Sequence, residues 1–254
     1  MQSKELLVLL PAFNECESIG VFLESLKKHG CFELADILVV DDGSTDETKQ
    51  IVESFGIKVV SLITHYGYTS VLLTGYKYAT RNNYKYLIQI DSDGQHDASN
   101  IALLYAELKR QSADEHVIVI GSRFLDGSIT FPISSIKMFA IKIYRFLIKL
   151  TTGKSISDPT SGLQGLSRMA FTYCSIEDNF VFDYPDANLI IQLLLREFTI
   201  KEIPAVMHAR TSGKSMHTSF NAILYMLKVP IDIIHIYFRE KIHQMARKRK
   251  EKRR

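Results

Sequence analysis

The first 120 residues alternate between short apolar runs and helical patterns. The apolar runs predict strands at residues 5–10, 36–40, 57–62, 85–90 and 116–120, the first of them stopping at Pro11. Apolar residues at helical spacing predict helices at 15–29, from about 44 to 55 with Ser44 or Thr45 as its N-cap, at 69–81 and at 98–111. Strands that alternate with helices form a mostly parallel sheet covered on both faces. We therefore predict an α/β fold with a Rossmann-like sheet.

Polar and glycine-containing clusters follow three of the predicted strands. They are Asn14-Glu15, Asp41-Asp42-Gly43 and Asp91-Ser92-Asp93-Gly94. Ligands of open α/β sheets bind beyond the carboxyl ends of the strands, so the three clusters are expected to line one crevice.

The sequence Asp91-x-Asp93 carries the clearest chemical signal in the chain. Two carboxylates this close repel each other unless a cation lies between them. Directly after a buried strand they can hold Mg²⁺ or Mn²⁺, which neutralises a diphosphate, and Gln95 can supply a third oxygen. A plain turn closed by an Asp side chain is the alternative interpretation of this motif.

Composition excludes several classes of protein. Hydrophobic residues make up 46% of the 254 residues and charged residues 23%, which is ordinary for a folded globular chain. Three widely spaced cysteines argue against a disulfide scaffold and a cysteine zinc site and fit a reducing compartment. The first apolar run is too short for a signal peptide, and no run of 18 apolar residues lacks charge, which argues against a spanning helix.

The second half of the chain has features of a membrane-surface protein. Residues 133–150 predict an amphipathic helix whose basic residues lie along one edge of a broad apolar face. Residues 219–243 are apolar but interrupted by charge and by Pro230, which favours an interfacial or protein-packed helix. The last eight residues carry a charge of +6 and leave the rest of the chain at −3. Such a tail suits an anionic surface, either membrane or nucleic acid, or a solvated disordered segment.

Taken together, the motifs resemble the family-2 inverting glycosyltransferases, which have a GT-A fold. The resemblance covers residues 5 to about 215. It is carried by residues 11–15 (PAFNE), 39–46 (VVDDGSTD), Gly67 with Gly75-Tyr76, residues 91–95 (DSDGQ) and residues 121–124 (GSRF).

Later motifs are similar to those of one subfamily. Residues 157–162 (SDPTSG) and 210–215 (RTSGKS) resemble polyprenyl-phosphate sugar synthases of the dolichol-phosphate mannose synthase type, and residues 183–187 (DYPDA) resemble bacterial members acting on undecaprenyl phosphate. The chain departs from that pattern at Leu163-Gln164 and at Met216, where the family often has a basic residue, and Lys214 can replace the second charge.

The resemblance implies roles for individual residues. The donor nucleotide site would comprise Pro11, Phe13, Glu15, Val40, Asp42, Asp91, Ser92 and Lys214. The metal, Mg²⁺ or Mn²⁺, would be held by Asp91, Asp93 and Gln95. The residues expected to carry catalysis are Asp91, Asp93, Arg123, Arg210 and Asp186, with the two arginines gripping the donor diphosphate and the acceptor phosphate. Asp158 is a weaker candidate that can instead start a turn before Pro159.

These inferences predict an enzyme that moves a sugar from a nucleotide-diphosphate donor, UDP-linked, to undecaprenyl phosphate for cell-surface glycan synthesis. It would work as a peripheral protein on the cytoplasmic face of the cell membrane. The expected organisation is a glycosyltransferase domain at 1–215, amphipathic helices at 216–246 and a basic tail at 247–254. The resemblance leaves open a small integral membrane partner and a homo-oligomer.

Three alternatives stay open at this stage. A transferase acting on a lipid-linked hydroxyl would need a base, for which Asp186 is the candidate. A catalytically silent sugar-nucleotide-binding subunit conflicts with the intact Asp91, Asp93, Arg123 and Arg210. A nucleic-acid-binding protein conflicts with the negative body of the chain and with the lack of a recognised binding motif.

Overall fold

The structure, a computed structural model, describes residues 4–176, 187–209 and 230–242. Its described strands are β1 (Leu6–Ala12), β2 (Asp36–Asp41), β3 (Lys58–Ser61), β4 (Tyr86–Gln89), β5 (Val117–Ser122), β6 (Gln164–Ser167) and β7 (Thr199–Pro204). Its described helices are α1 (Ile19–Lys28), α2 (Cys31–Leu34), α3 (Thr48–Ser54), α4 (Tyr68–Arg81), α5 (Ser99–Lys109), α6 (Ser135–Thr152), α7 (Arg168–Cys174), α8 (Ala187–Leu195) and a further helix, α9, at 230–242.

The described strands form one seven-stranded sheet in the order β3-β2-β1-β4-β6-β5-β7. β6 is antiparallel to both of its neighbours, β4 and β5, and the other pairs are parallel. The predicted α/β class and the mostly parallel sheet are therefore confirmed. β6 inserts between β4 and β5, a feature that the sequence pattern did not predict.

Both faces of the sheet are buried, because consecutive side chains of a strand point to opposite faces. Along β1, Leu7 and Leu9 join one hydrophobic cluster, while Leu6, Val8 and Leu10 join the other. A sheet covered on both sides exposes its functional groups only at the strand ends. This restricts the search for a site to the loops beyond those ends.

Two predicted boundaries are wrong for identifiable reasons. β1 continues through Pro11 to Ala12, since its pairing with β4 runs only over Leu6–Leu9 and the proline N therefore removes no ladder bond there. The helix predicted to be capped by Ser44 or Thr45 begins at Thr48 instead. Asp46 accepts hydrogen bonds from the Thr48 N–H and hydroxyl groups, at 3.0 and 2.5 Å.

Helix α6 is confirmed at Ser135–Thr152, two residues from the predicted range, with Ser134 as its cap. Its inner face buries Ala140, Ile141, Tyr144 and Ile148. Over the described ranges of the chain, we find no helix with the length and apolarity needed to cross a bilayer.

Candidate active site

The three predicted polar clusters meet at the carboxyl ends of β1, β2 and β4. The Asp42 N–H donates to the Ala12 carbonyl at 2.9 Å, and the Ser92 hydroxyl donates to the Pro11 carbonyl at 3.0 Å. These bonds join the end of β1, directly before the first cluster, to the second and third clusters. The three clusters therefore lie close together beyond the strand ends.

Asn14 and Glu15 fasten the first cluster to the loop after β2. Asn14 has a left-handed backbone (φ 52°), which asparagine tolerates better than most residues. Its N–H donates to the Ser44 hydroxyl, and its side-chain oxygen accepts from the Thr45 N–H, both at 2.9 Å. The Glu15 N–H donates to Thr48 Oγ1 at 2.8 Å, and the Glu15 carboxylate accepts from the Ser18 hydroxyl. Ser44 therefore connects the loop after β1 to the loop after β2 and does not cap a helix.

Asp42 organises the segment that leads into α4. Its carboxylate is buried and accepts the N–H groups of Tyr66 and Gly67, both at 2.8 Å. His65 Nδ1 lies 2.9 Å from the same carboxylate, and the His65 ring stacks on Phe13 with centroids 3.9 Å apart. Phe13 and His65 are both exposed, so this aromatic pair presents a flat surface to the crevice.

Three residues of the predicted donor site, Val40, Asp42 and Ser92, are buried. Val40 is fully buried in the hydrophobic core, and its role toward the donor stays a prediction. Ser92 is also buried and is engaged with Pro11. Pro11, Phe13 and Glu15 retain some exposure, and their roles toward the donor stay predictions.

Asp91 and Asp93 lie beyond the end of β4, as predicted. The Asp91 side chain keeps 33% of its exposure, and its Oδ1 accepts a hydrogen bond from the Tyr68 hydroxyl at 3.1 Å. Asp93 is buried, and its Oδ1 accepts the Gln95 N–H at 3.0 Å, closing the turn. The Gln95 carbonyl accepts the His208 N–H at 2.7 Å, which joins the turn to the segment after β7.

The oxygen donors at this turn suit a hard divalent cation. Within the described residues, no three side chains of His, Cys, Asp or Glu are grouped as a metal cluster. Mg²⁺ and Mn²⁺ nevertheless bind through one or two carboxylates, with substrate phosphates and water completing the shell, and do not need a full protein cage. Asp91 and Asp93, with Gln95 as a further oxygen, fit that mode of binding.

His208 and Asp97 form a second contact near this turn, with Nε2 and Oδ2 3.0 Å apart. Partial burial raises the pKa of Asp97, but hydrogen bonds from His208 and Ser99 outweigh burial and lower the pKa to about 2. Asp97 therefore stays ionised through the physiological range. It fixes the segment that precedes residue 210 against the start of α5.

Gly162 lies directly against Asp91. A Cβ atom added at Gly162 would stand 2.8 Å from Asp91 Oδ2 and 3.3 Å from the Tyr68 hydroxyl. We expect Gly162→Ala to reduce turnover at least about tenfold, because a shift of about 1 Å in a positioned group costs that much or more. The free energy of unfolding should change little, because the Asp91 side chain can swing away.

The matched control for this prediction is Gly20→Ala in α1, where the added Cβ would make an ordinary contact with Ile51 at 3.4 Å. Turnover and the unfolding midpoint should be measured for both variants. Full turnover in Gly162→Ala would show that Asp91 need not occupy its present position.

Arg123 is engaged by a buried partner. Asp158, which has no exposed surface, accepts the Arg123 backbone N–H at 3.0 Å, Nε at 2.7 Å and NH2 at 2.6 Å. Arg123 NH2 also donates to Thr160 Oγ1 at 2.7 Å. The structure thus gives the arginine fork a carboxylate partner inside the protein, and the predicted grip on the donor diphosphate stays a prediction.

The loop that carries Asp158 is fixed from the other side by Glu202 of β7. The Glu202 carboxylate accepts the Ser157 N–H and hydroxyl, both at 2.7 Å, and the Asp158 N–H at 2.8 Å. The Gln89 amide donates to the Gly162 carbonyl at 3.1 Å. Residues 157–162 are therefore held by hydrogen bonds to β4, to β7 and to Arg123, which the sequence motif alone did not reveal.

Three predicted residues, Asp186, Arg210 and Lys214, lie outside the described residues. Conversely, no sequence motif identified Tyr68, Glu202 or His96 as part of this site. His96 is buried with Nε2 3.5 Å from Asp91 Oδ2. Its position five residues after Asp91 was the only available signal.

A mostly parallel sheet with acidic side chains beyond its strand ends is typical of α/β proteins that bind ligands at that end of the sheet. The sequence model of glycosyl transferase family 2 matches residues 7–173, and the chain belongs to that family. This confirms the resemblance drawn from the motifs.

Relatives and solved structures agree with this assignment. An uncharacterized protein of Methanocaldococcus jannaschii is 34% identical over 64% of this chain and 65% of its own length. Polyprenol monophosphomannose synthase of Mycolicibacterium smegmatis is 24% identical over 88% of this chain and 84% of its own. Glucosyl-3-phosphoglycerate synthase of Mycobacterium tuberculosis, crystallised with Mn²⁺ and UDP-glucose, has a TM-score of 0.66 at 19% identity over 92% of this chain and 79% of its own. The structural match supports the GT-A fold.

Proposed function

We propose that the chain transfers a glycosyl group from a nucleotide-diphosphate sugar to the phosphate of a polyprenyl phosphate. The observation that carries the proposal is the Asp91–Asp93 turn, which lies beyond β4 beside the loops of Asp42 and Phe13. The similarity to polyprenol monophosphomannose synthase, which extends over most of both chains, supports this acceptor class. We further propose a UDP-linked donor and undecaprenyl phosphate as the acceptor.

The residues present match the demands of this reaction. A phosphate acceptor is already anionic near neutral pH, so the main requirements are alignment of the reactants and neutralisation of the leaving diphosphate. A divalent cation held by Asp91, Asp93 and Gln95 would supply that neutralising charge. Phe13 and His65 would carry the nucleobase on their aromatic surface, while Asp42 keeps their loop in place.

The activity test uses membranes that contain the full chain, a panel of radiolabelled UDP- and GDP-sugars, and added undecaprenyl phosphate. We expect one donor to pass label into the organic phase as a lipid that mild acid cleaves. Transfer of label only to water-soluble products or to a lipid-linked glycan would contradict the proposed acceptor.

We also propose that the chain binds an anionic membrane surface as a peripheral protein of the cytoplasmic face. Helix α6 exposes an apolar stripe on the side opposite its buried face: Ile136, Phe139, Phe146 and Leu150 are 60–68% exposed. Lys142 and Lys149 are exposed beside this stripe. Apolar side chains next to lysines are typical of helices that lie in the headgroup region.

A second exposed apolar stripe lies on α9, where Ile231, Ile234, Phe238 and Ile242 are between 56% and 67% exposed, and it also suits an apolar surface. Arg145, one of the basic residues of α6, does not lie beside the exposed apolar stripe. Arg145 donates to the Ser157 carbonyl at 2.7 Å and lies 4.4 Å from the centroid of the Phe124 ring, so it packs against its own domain.

We expect the double variant Phe139→Ser, Phe146→Ser to weaken binding to phosphatidylglycerol vesicles at high salt by at least about tenfold. Burial of one such side chain in an apolar phase contributes about 1.5–3 kcal/mol, and high salt suppresses the contribution of the lysines. Vesicle co-sedimentation measures the effect.

Leu103→Ser is the control for this prediction, because Leu103 is 50% exposed on α5, outside both stripes. Equal binding by the double variant and the control would refute a role for the α6 stripe.

A further inference from the structure

The two oxygens of the Asp91 carboxylate have different neighbours. Oδ1 accepts the Tyr68 hydroxyl at 3.1 Å, and Oδ2 lies 3.5 Å from His96 Nε2. The main chain at Gly162 closes the Oδ2 side, where there is no room for a Cβ atom. The carboxylate is therefore oriented by three segments that are far apart in sequence.

Tyr68 is itself placed by the segment that holds Asp42. Gly67, with φ +93°, precedes the first residue of α4, and its N–H donates to Asp42 at 2.8 Å. The Tyr68 ring packs partly buried against the hydrophobic core, which limits its freedom and directs the hydroxyl to Asp91. The consecutive residues Gly67 and Tyr68 thus donate hydrogen bonds to two carboxylates of the site, those of Asp42 and Asp91.

The His96 ring is a weaker partner for Asp91 than Tyr68. Its Nδ1 is buried and makes no hydrogen bond to the described residues, and the 3.5 Å separation at Nε2 is long for a hydrogen bond. The Tyr68 hydroxyl, by contrast, lies at hydrogen-bond distance from Asp91 Oδ1.

We propose that Tyr68 is a positioning residue that orients Asp91 for the divalent cation. The inference rests on the proposed function, because it requires Asp91 to be a metal ligand. A ligating carboxylate that is fixed by a second hydrogen bond meets the cation without first having to be ordered, and loss of such an outer partner lowers metal affinity or activity by about 10–100-fold. Tyr68 would therefore act on the cation through Asp91, without contacting it.

The test measures Mn²⁺ binding to the full chain in the presence of UDP, by electron paramagnetic resonance of free Mn²⁺. We expect Tyr68→Phe to raise the Kd for Mn²⁺ about tenfold. The affinity for UDP measured without metal should stay the same, and so should the thermal unfolding midpoint. Turnover of Tyr68→Phe should recover at saturating Mn²⁺, which loss of folded protein would not allow.

Tyr78→Phe is the matched control, since Tyr78 belongs to the same helix but stacks on Tyr84, with ring centroids 6.4 Å apart. It should bind Mn²⁺ as the unaltered chain does. An unchanged Kd in Tyr68→Phe, with Mn²⁺ binding abolished in Asp91→Asn, would overturn the role of Tyr68 and leave the metal site intact. Normal Mn²⁺ binding by Asp91→Asn would instead overturn the metal site and this inference with it.

Discussion

Asp91→Asn and Asp93→Asn should each lower kcat/KM by at least about 100-fold, equivalent to about 2.7 kcal/mol of transition-state stabilisation. Each substitution removes a negative charge that the proposed cation needs, while an amide of the same shape preserves the turn. Asp93 still has an oxygen that can accept the Gln95 N–H, and Asp91 one that can accept the Tyr68 hydroxyl. We therefore expect the unfolding midpoint to change by only a few degrees.

The measurement is initial-rate transfer of labelled sugar with Mn²⁺ and with excess EDTA. Asp114→Asn serves as the control, because Asp114 is an exposed residue that precedes the amino end of β5, whereas Asp91 and Asp93 follow the carboxyl end of β4. Unimpaired transfer by Asp91→Asn, or by the unaltered chain in EDTA, would exclude a metal-dependent mechanism.

The sequence predicts the first half of the fold well because its elements carry strong local signals. β1, β2 and β5 are continuous apolar runs that are buried on both faces, and they were located to within two residues. β6 has only four residues, Gln164–Ser167, of which one is a large apolar residue. Its strand conformation comes from pairing with β4 and β5 rather than from local propensity. The sequence therefore shows no hydrophobic periodicity that would predict a strand there.

The candidate site was likewise predicted only in part: the residues at strand ends were found, and the long-range contacts were not. Asp42, Asp91 and Asp93 were predicted because each follows a strand within a few residues, and strand ends determine where such side chains lie. The Tyr68–Asp91 bond spans 23 residues and the Arg123–Asp158 pair spans 35. Contacts of this kind depend on how β4, β5 and the loop before β6 are assembled, and a single sequence carries no direct record of that arrangement.

The tyrosine-rich stretch at residues 66–78 shows how little residue type and spacing reveal about the environment of each side chain. Tyr66, Tyr68, Tyr76 and Tyr78 lie close together in the sequence, and Tyr76 is fully buried. Tyr66 is 59% exposed and precedes the helix. The Tyr68 side chain packs against the core, and its hydroxyl donates a hydrogen bond to Asp91. Residue type and spacing cannot separate these outcomes, because all four ring systems suit a helix face equally well.

The Arg123–Asp158 pair should have the largest effect on folding stability. We expect Asp158→Ala to lower the free energy of unfolding by about 3–5 kcal/mol, because the Arg123 side chain, which is only 15% exposed, loses its carboxylate partner. The exposed pair Arg110–Glu107, with Arg110 75% exposed, provides the control, and Arg110→Ala should cost less than about 1 kcal/mol. Urea unfolding followed by circular dichroism measures both values.

A double substitution separates two causes of the stability loss in Asp158→Ala, namely the unpaired charge of Arg123 and the lost hydrogen bonds of the loop. Replacing both partners, Arg123→Met with Asp158→Ala, removes the unpaired buried charge, and we expect part of the stability lost in Asp158→Ala to return. Activity should not return with it, because the loop at residues 157–162 would still lack the bonds that Arg123 makes to Asp158 and Thr160. Recovery of activity together with stability would mean that the pair serves folding alone. A double variant no more stable than Asp158→Ala would instead place the cost in the lost hydrogen bonds of the loop rather than in the buried charge.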